Sequence, residues 1–436
     1  MNHIEQIDIL SKEQLTLVED VETIDLKPDK IGLGKEEADF NWTNNLTYPF
    51  VEKTNNVMED TIAVYYIFKG RKIGFSGSNY LQFSDLVNKI YDLEMFNSKA
   101  SFNFIYQSTL DWVVNSYLST EDINKSVTEF IEDEWIKNSK ELCFYFPIHN
   151  LSIESSFTIA GVEFFYIDNT MYNTIFKNKV TDEQKRQLIE PFKSALVAAY
   201  CLKSDFDFAK QNSMERAAIA MDILKLFSVT TSIPKSISNF DFEFRLNYQL
   251  SSSFLSKDND QQWSISKEFS PGNSFISTKE FVRASYYGLN VFSDFVAKNY
   301  KDELGLLIYL SIRALSSAIS NSDLHMRSVN IITILESLLL KDSESSKMVS
   351  KVKERYAKII GQSFNQYKSP VTCLENIYHV RHKMIHKSIR KLIVNQELSV
   401  VQGATVSILL AFVEFHELSG FRSKENIIAS LNERTI

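Results

Sequence analysis

The sequence predicts an α+β protein, with a mixed N-terminal region built on antiparallel sheet and an all-α C-terminal helical bundle. Three observations carry that reading. Phe240, Phe242, Phe244, Leu246 and Tyr248 alternate strictly with Asp241, Glu243, Arg245, Asn247 and Gln249. Such a period of two implies a strand with one buried and one solvated face, as in an antiparallel sheet. Ser270-Pro271-Gly272-Asn273-Ser274 is the strongest turn-forming segment in the chain, and it sets a boundary between residues 1–270 and 276–436. Beyond it, apolar residues recur at spacings of three and four.

Taken in order, Thr61–Phe68 (TIAVYYIF) is β-branched and aromatic, and Lys72–Phe75 follows after Lys69-Gly70-Arg71, which reads as a hairpin. Ser156–Ile167 reads as strand with a turn or bulge at Gly161. Thr181–Gln184 has capping-box spacing, and a helical pattern follows to about Phe227 with a kink at Pro191. Downstream, Leu304, Ile308, Ile312, Leu315 and Ile319 mark one helix, and Val349, Val352, Tyr356 and Ile359 a second. Gly361 suits the end of that second helix. Ser369-Pro370 opens another as N-cap and first helical residue. Val401, Ala404, Ile408, Ala411 and Phe415 mark a last one, closed by Ser419-Gly420.

Composition narrows the function classes. In 436 residues there are only 12 Gly and 7 Pro, about 4%, against a usual share of roughly 12%. Collagen-like and disordered linker classes are thereby excluded. A net charge of −8 argues against a general nucleic-acid coat protein while leaving room for a local basic site. Three cysteines, Cys143, Cys201 and Cys373, are odd in number and far apart, so no disulfide framework and a reducing compartment are expected. The N-terminus lacks the basic and apolar regions of a secretory signal. Leu398–Val413 is uncharged for 16 residues, short of the roughly 20 a spanning helix needs. The expected setting is the cytoplasm, without membrane association.

The segment after Pro370, VTCLENIYHVRHKMIHKSIRKLIVN, holds the chemistry. On a helical wheel Val380, Cys373, Met384, Ile377, Leu374 and Ile385 form the packing arc, and Arg381 falls inside it. His382 and His386 point elsewhere, with His386 about 140° from Arg381. An arginine on an apolar face requires a partner, a ligand or an interface. Arg381, Lys383, Lys387, Arg390 and Lys391 lie between Asn376 and Asn395 with three histidines and no acid, a positive patch suited to phosphate. Arg381 and His386 also read as a buried salt bridge and a surface histidine. His379, His382 and His386 with Cys373 do not complete a zinc ligand set, so no metal and no cofactor are expected. Cys373 reads as a core thiol. No phosphate-binding loop or dinucleotide fingerprint is present.

Arg381-His382-Lys383-Met384-Ile385-His386 is an R-x4-H motif late in a helical region. With the upstream helix Asn330–Leu340 (NIITILESLLL), it resembles the HEPN domain, in particular the ApeA-like HEPN subclass of bacterial antiviral defence ribonucleases, over roughly residues 276–420. The resemblance implies a metal-independent endoribonuclease of abortive-infection type, acting on host or phage RNA, tRNA among its candidate substrates. It implies catalysis by Arg381 and His386, support from His382 and Glu336, and RNA contacts through Lys383, Lys387, Arg390 and Lys391. Glu336 is read first as the partner of an arginine between helices. The resemblance further implies a homodimer whose shared cleft unites two motifs. Residues 1–270 would be a sensor or regulatory domain answering a phage-derived trigger. The alternative is a non-catalytic HEPN-type module for dimerisation or protein interaction.

Overall fold

The hairpin expected at residues 61–75 forms the centre of a four-stranded antiparallel sheet in a computed structural model of the chain. The structure describes residues 3–22, 50–53, 62–68, 71–119, 125–170, 192–236, 240–242, 252–257, 263–268, 274–360, 370–387 and 393–433. Strands β1 (Glu19–Glu22), β2 (Phe50–Lys53), β3 (Ile62–Phe68) and β4 (Arg71–Phe75) run in the order β1-β4-β3-β2. Val64 stands opposite Phe75, and Phe68 opposite Arg71. Val64, Tyr66, Ile73 and Phe75 share a core with helices α1 (His3–Gln14), α2 (Gly77–Tyr91), α3 (Glu94–Asn97), α4 (Phe102–Leu118) and α5 (Val127–Asn138). Each fully buried Leu, Ile, Val or Phe there contributes roughly 1.5–3 kcal/mol. Ser101 caps α4 by accepting from the Phe104 amide at 3.0 Å. Ser126 and Glu129 form a reciprocal capping box on α5. These elements belong to the first of two compact units, Met1–Leu142 with Cys201–Asn212.

The second unit is Cys143–Tyr200 with Ser213–Ile436. Its sheet takes β5 (Lys140–His149), β7 (Phe157–Ile159), β8 (Val162–Tyr166), β9 (Leu196–Ser204) and β10 (Asp241–Phe242) in the order β10-β5-β9-β8-β7. Between β7 and β8 the chain turns through Ala160 and Gly161, both at positive φ, so the expected irregularity at Gly161 is a hairpin turn. The short strand β6 (Leu151–Ile153) pairs in parallel with β13 (Ser274–Ile276). Strands β11 (Ser252–Lys257) and β12 (Trp263–Glu268) pair with each other in antiparallel register.

Several expectations change. The helical pattern foreseen from Thr181 to Phe227 is interrupted, because Leu196–Ser204 is strand β9 and helix α6 starts only at Phe206 (Phe206–Leu226). Leu196, Val197, Ala198 and Ala199 are buried between neighbouring strands. A continuous apolar run of that kind has no periodicity to separate strand from helix. Asp205 then caps α6, accepting from the Phe208 amide at 3.1 Å. The capping box at 181–184 and the kink at Pro191 lie outside the described residues. Of the alternating strand Phe240–Gln249, Asp241 and Phe242 form β10, and 243–249 lie outside the described residues. Asp241 is not solvated as expected but buried, because Lys225 of α6 reaches it at 2.5 Å. Cys143 and Cys201 are disulfide-bonded, on strands that adjoin in the sheet, and only Cys373 is free and buried. That weakens the argument for a reducing compartment.

After α7 (Val229–Ser232) and β13 the described chain is helical: α8 (Thr278–Ala284), α9 (Asn290–Ala297), α10 (Glu303–Ser320), α11 (Leu324–Leu339), α12 (Met348–Ile360), α13 (Pro370–Lys387), α14 (Asn395–Leu418) and α15 (Lys424–Glu433). The expected Leu304–Ile319, Val349–Ile359 and Val401–Phe415 patterns fall on α10, α12 and α14. Gly361 lies outside the described residues. The division of the chain falls elsewhere than at 270–276. Ile159, Val162 and Phe164 of the sheet join Ile308, Ile312, Leu335, Leu338, Leu374, Ile377, Ile408 and Phe412 of the helices in one core. Helices α10 and α14 are each long and apolar enough to cross a membrane, α14 running 24 residues. Both are half-buried in the protein through Leu304, Ile308, Ile312, Val401, Ile408 and Phe412, as core helices are.

Candidate functional site

The site is built where α13 crosses α11. Leu374 and Ile377 of α13 and Leu335 and Leu338 of α11 are fully buried, which locks the two helices together and fixes the side chains at the rim of that contact. Glu336 follows Leu335, so burying Leu335 leaves its carboxylate at the edge of the core. Arg381 comes one turn after Ile377 and reaches the same edge. The Arg381 Nη1 donates to Glu336 Oε1 at 2.7 Å, and the Tyr378 hydroxyl donates to the same oxygen at 3.3 Å. The side chains are 25% exposed for Arg381 and 15% for Glu336. Burial, and next the Glu336 carboxylate, push the Tyr378 phenol well above its ordinary range, so it stays a neutral donor.

This pairing meets the expectation that an arginine on the apolar arc needs a partner. It is also the arrangement in which Glu336 holds an arginine between helices. The guanidinium is not fully engaged. Its Nε is buried and finds no acceptor among the described residues, an orphaned donor on a charged group.

Sequence reasoning missed Tyr378. It sits three residues before Arg381, on the same helical face. That spacing is the signal that could have found it. The packing arc is also narrower than the wheel suggested, since Met384 is half-buried and Ile385 is 50% exposed. By Ile385 the helix has outrun the elements that cover its first three turns. His382 is exposed and Lys383 half-buried. His386 lies on the same helix, but its side chain and that of Lys387, together with Arg390 and Lys391, lie outside the described residues.

The positive patch counted along the chain is moderated in space. Glu336 answers Arg381, Glu375 pairs with Lys353 of α12, and Asn376 donates to Glu397 of α14 at 2.6 Å. Acids from two neighbouring elements, α11 and α14, and Glu375 of α13 itself therefore border the patch, and a linear count could not see the first two. Among the described residues no three His, Cys, Asp or Glu gather as a metal site.

Two other buried arginines frame the bundle. Arg355 of α12 grips Glu344 through both terminal nitrogens, at 2.6 and 2.8 Å, and donates to the Leu339 carbonyl at 2.7 Å. Arg355, with Lys351 adding to it, holds the Glu344 carboxyl far below the ordinary carboxylate range. Arg327 of α11 is fully buried, and among the described residues it donates to carbonyls, those of Asn321 and Pro234. Burial without a carboxylate lowers its pKa to about 10. Both tie helix ends and loops, whereas the buried Arg381 Nε has no acceptor among the described residues. Comparison with family models, curated proteins and solved structures finds no match.

Proposed function

We propose that this chain is a cytoplasmic, metal-independent endoribonuclease of HEPN type, in the setting of bacterial antiviral, abortive-infection defence. The observation that supports this reading is the state of Arg381. Its guanidinium stands at the rim of the helical core, held on one side by Glu336 and unanswered at Nε. Held in this way, an arginine is oriented by one carboxylate oxygen at one nitrogen and keeps further donors for a phosphate, in contrast to Arg355, which engages its carboxylate through both terminal nitrogens.

In the proposed chemistry the ribose 2′-hydroxyl attacks phosphorus and the 5′-oxygen leaves, so RNA supplies its own nucleophile. His386 moves the proton. Arg381 stabilises charge on the non-bridging oxygens. Glu336 and Tyr378 position Arg381, and His382 supports the site. Lys383, Lys387, Arg390 and Lys391 contact the RNA backbone. A homodimer would bring two motifs to one cleft, because Arg381 and His386 diverge by about 140° on one helix. Exposed Ile385, with Met384 beside it, supports a partner helix on that side. The remaining α+β elements would answer a phage-derived trigger.

A second reading is a non-catalytic bundle serving dimerisation or interaction. The Arg381–Glu336 ion pair favours it, since the pair satisfies both charges within one protomer. RNA integrity in cells separates the two. Expression of the wild type should degrade RNA, and Arg381→Ala should leave it intact. Intact RNA with the wild type under every condition that arrests growth would favour the interaction module.

A further inference from the structure

Away from the Arg381 helix, residues 274–291 expose a run of large side chains that the core could have covered. Tyr286 is 85% exposed and Tyr287 57%, and Val282 and Phe275 of the same segment are exposed as well. The backbone explains why. Helix α8 starts from a capping box between Ser277 and Glu280, then widens into a π-turn at Ser285–Leu289 before α9 continues. Gly288 sits at φ 114°, and a side chain there would meet Leu410 at 2.7 Å. Leu289 and Phe292 are fully buried just beyond.

The widened turn thus seats Gly288 and Leu289 in the core and turns both tyrosines to solvent, on a backbone anchored at both ends. Inserted turns of this kind recur at functional sites. The two rings meet edge to face, 5.5 Å apart at 79°. The Arg283 guanidinium lies 5.7 Å from the centre of the Tyr287 ring, and Lys279 is exposed one turn earlier. Two acids adjoin the segment, and both are engaged by its helix start: Glu280 accepts from the backbone amide and hydroxyl of Ser277, which hold its carboxyl below the ordinary range, and Glu154 accepts from the Thr278 amide at 2.8 Å.

We propose that this face is a docking platform for single-stranded nucleic acid, with bases stacking on Tyr286 and Tyr287 and phosphates meeting Arg283 and Lys279. Rings presented beside two cations match a chain of π-faces joined by anions. The platform uses none of the Arg381 site, so it does not rest on the ribonuclease reading.

The test is fluorescence anisotropy of the full chain with a fluorescein-labelled oligo(dT), which lacks the 2′-hydroxyl and cannot be cleaved by the proposed chemistry. Saturable binding is expected, weakened about tenfold or more by Tyr286→Ala with Tyr287→Ala. Tyr286→Phe with Tyr287→Phe should retain it, because the rings remain. Arg283→Gln should weaken binding and flatten its salt dependence. The platform is overturned if oligo(dT) does not bind, if the folded double alanine variant binds equally, or if a duplex of the same length binds as tightly. Capture of a proline-rich peptide, or self-association through the tyrosines, without oligo(dT) binding would also overturn it.

Discussion

Arg381 and Glu336 form a half-buried pair, and the worth of such a pair is best read as a coupling. Removing one partner strands the other's charge, and removing both does not. Because Arg381 is one quarter exposed, solvent screening limits the effect. Denaturant unfolding of Arg381→Met, Glu336→Leu and the double variant should give a coupling of about 1 kcal/mol. Additive losses would mean that the ion pair contributes nothing to stability. The Glu344–Arg355 pair is more deeply buried, at 12% and 4% exposure, and losing it should cost on the order of 3 kcal/mol. Its pH dependence has a definite sign. A folded-state pKa held below the ordinary value stabilises the fold above pH of about 4.5, and the contribution is lost as pH falls toward the folded-state value. Wild-type Tm should therefore drop faster on acidification below that pH than the Tm of Glu344→Gln. Parallel acid profiles would contradict the assignment.

Helix ends and turns carry the next set of consequences. Asp323 caps α11 by accepting from the His325 amide at 2.8 Å, so Asp323→Ala should cost about 1 kcal/mol by denaturant unfolding. Gly288→Ala should cost more, because left-handed backbone and contact with Leu410 act together. An unchanged Tm would argue that the π-turn relaxes freely. The helices were legible because Leu304–Ile319 and Val401–Phe415 each have one buried face, which writes a period of 3.6 into the sequence. Leu196–Ser204 was not, since a strand buried on both faces writes no period. Arg381's need for a partner was legible from its place on the apolar arc. Its partner's identity was not, because Glu336 lies 45 residues away and only the packing of α11 on α13 brings it there.

At the scale of the molecule, the second unit joins sheet and bundle in a single core. A fragment of residues 276–436 would leave Leu289, Phe292, Phe295 and Ile308 without Ile159, Val162, Phe164 and Met221. It should melt without cooperativity and aggregate, judged by circular dichroism and light scattering. A fragment that melts as a cooperative monomer would show that the bundle is a domain in its own right. The proposed cleavage of RNA by Arg381 and His386 is put to the test most directly with purified protein. Incubated with RNA in excess chelator, the wild type should generate 2′,3′-cyclic phosphate ends, and His386→Ala should be slower by roughly 10²–10⁴-fold while keeping its circular dichroism spectrum and Tm. A folded His386→Ala protein that cleaves at the wild-type rate, or cleavage that stops in chelator, would contradict the account.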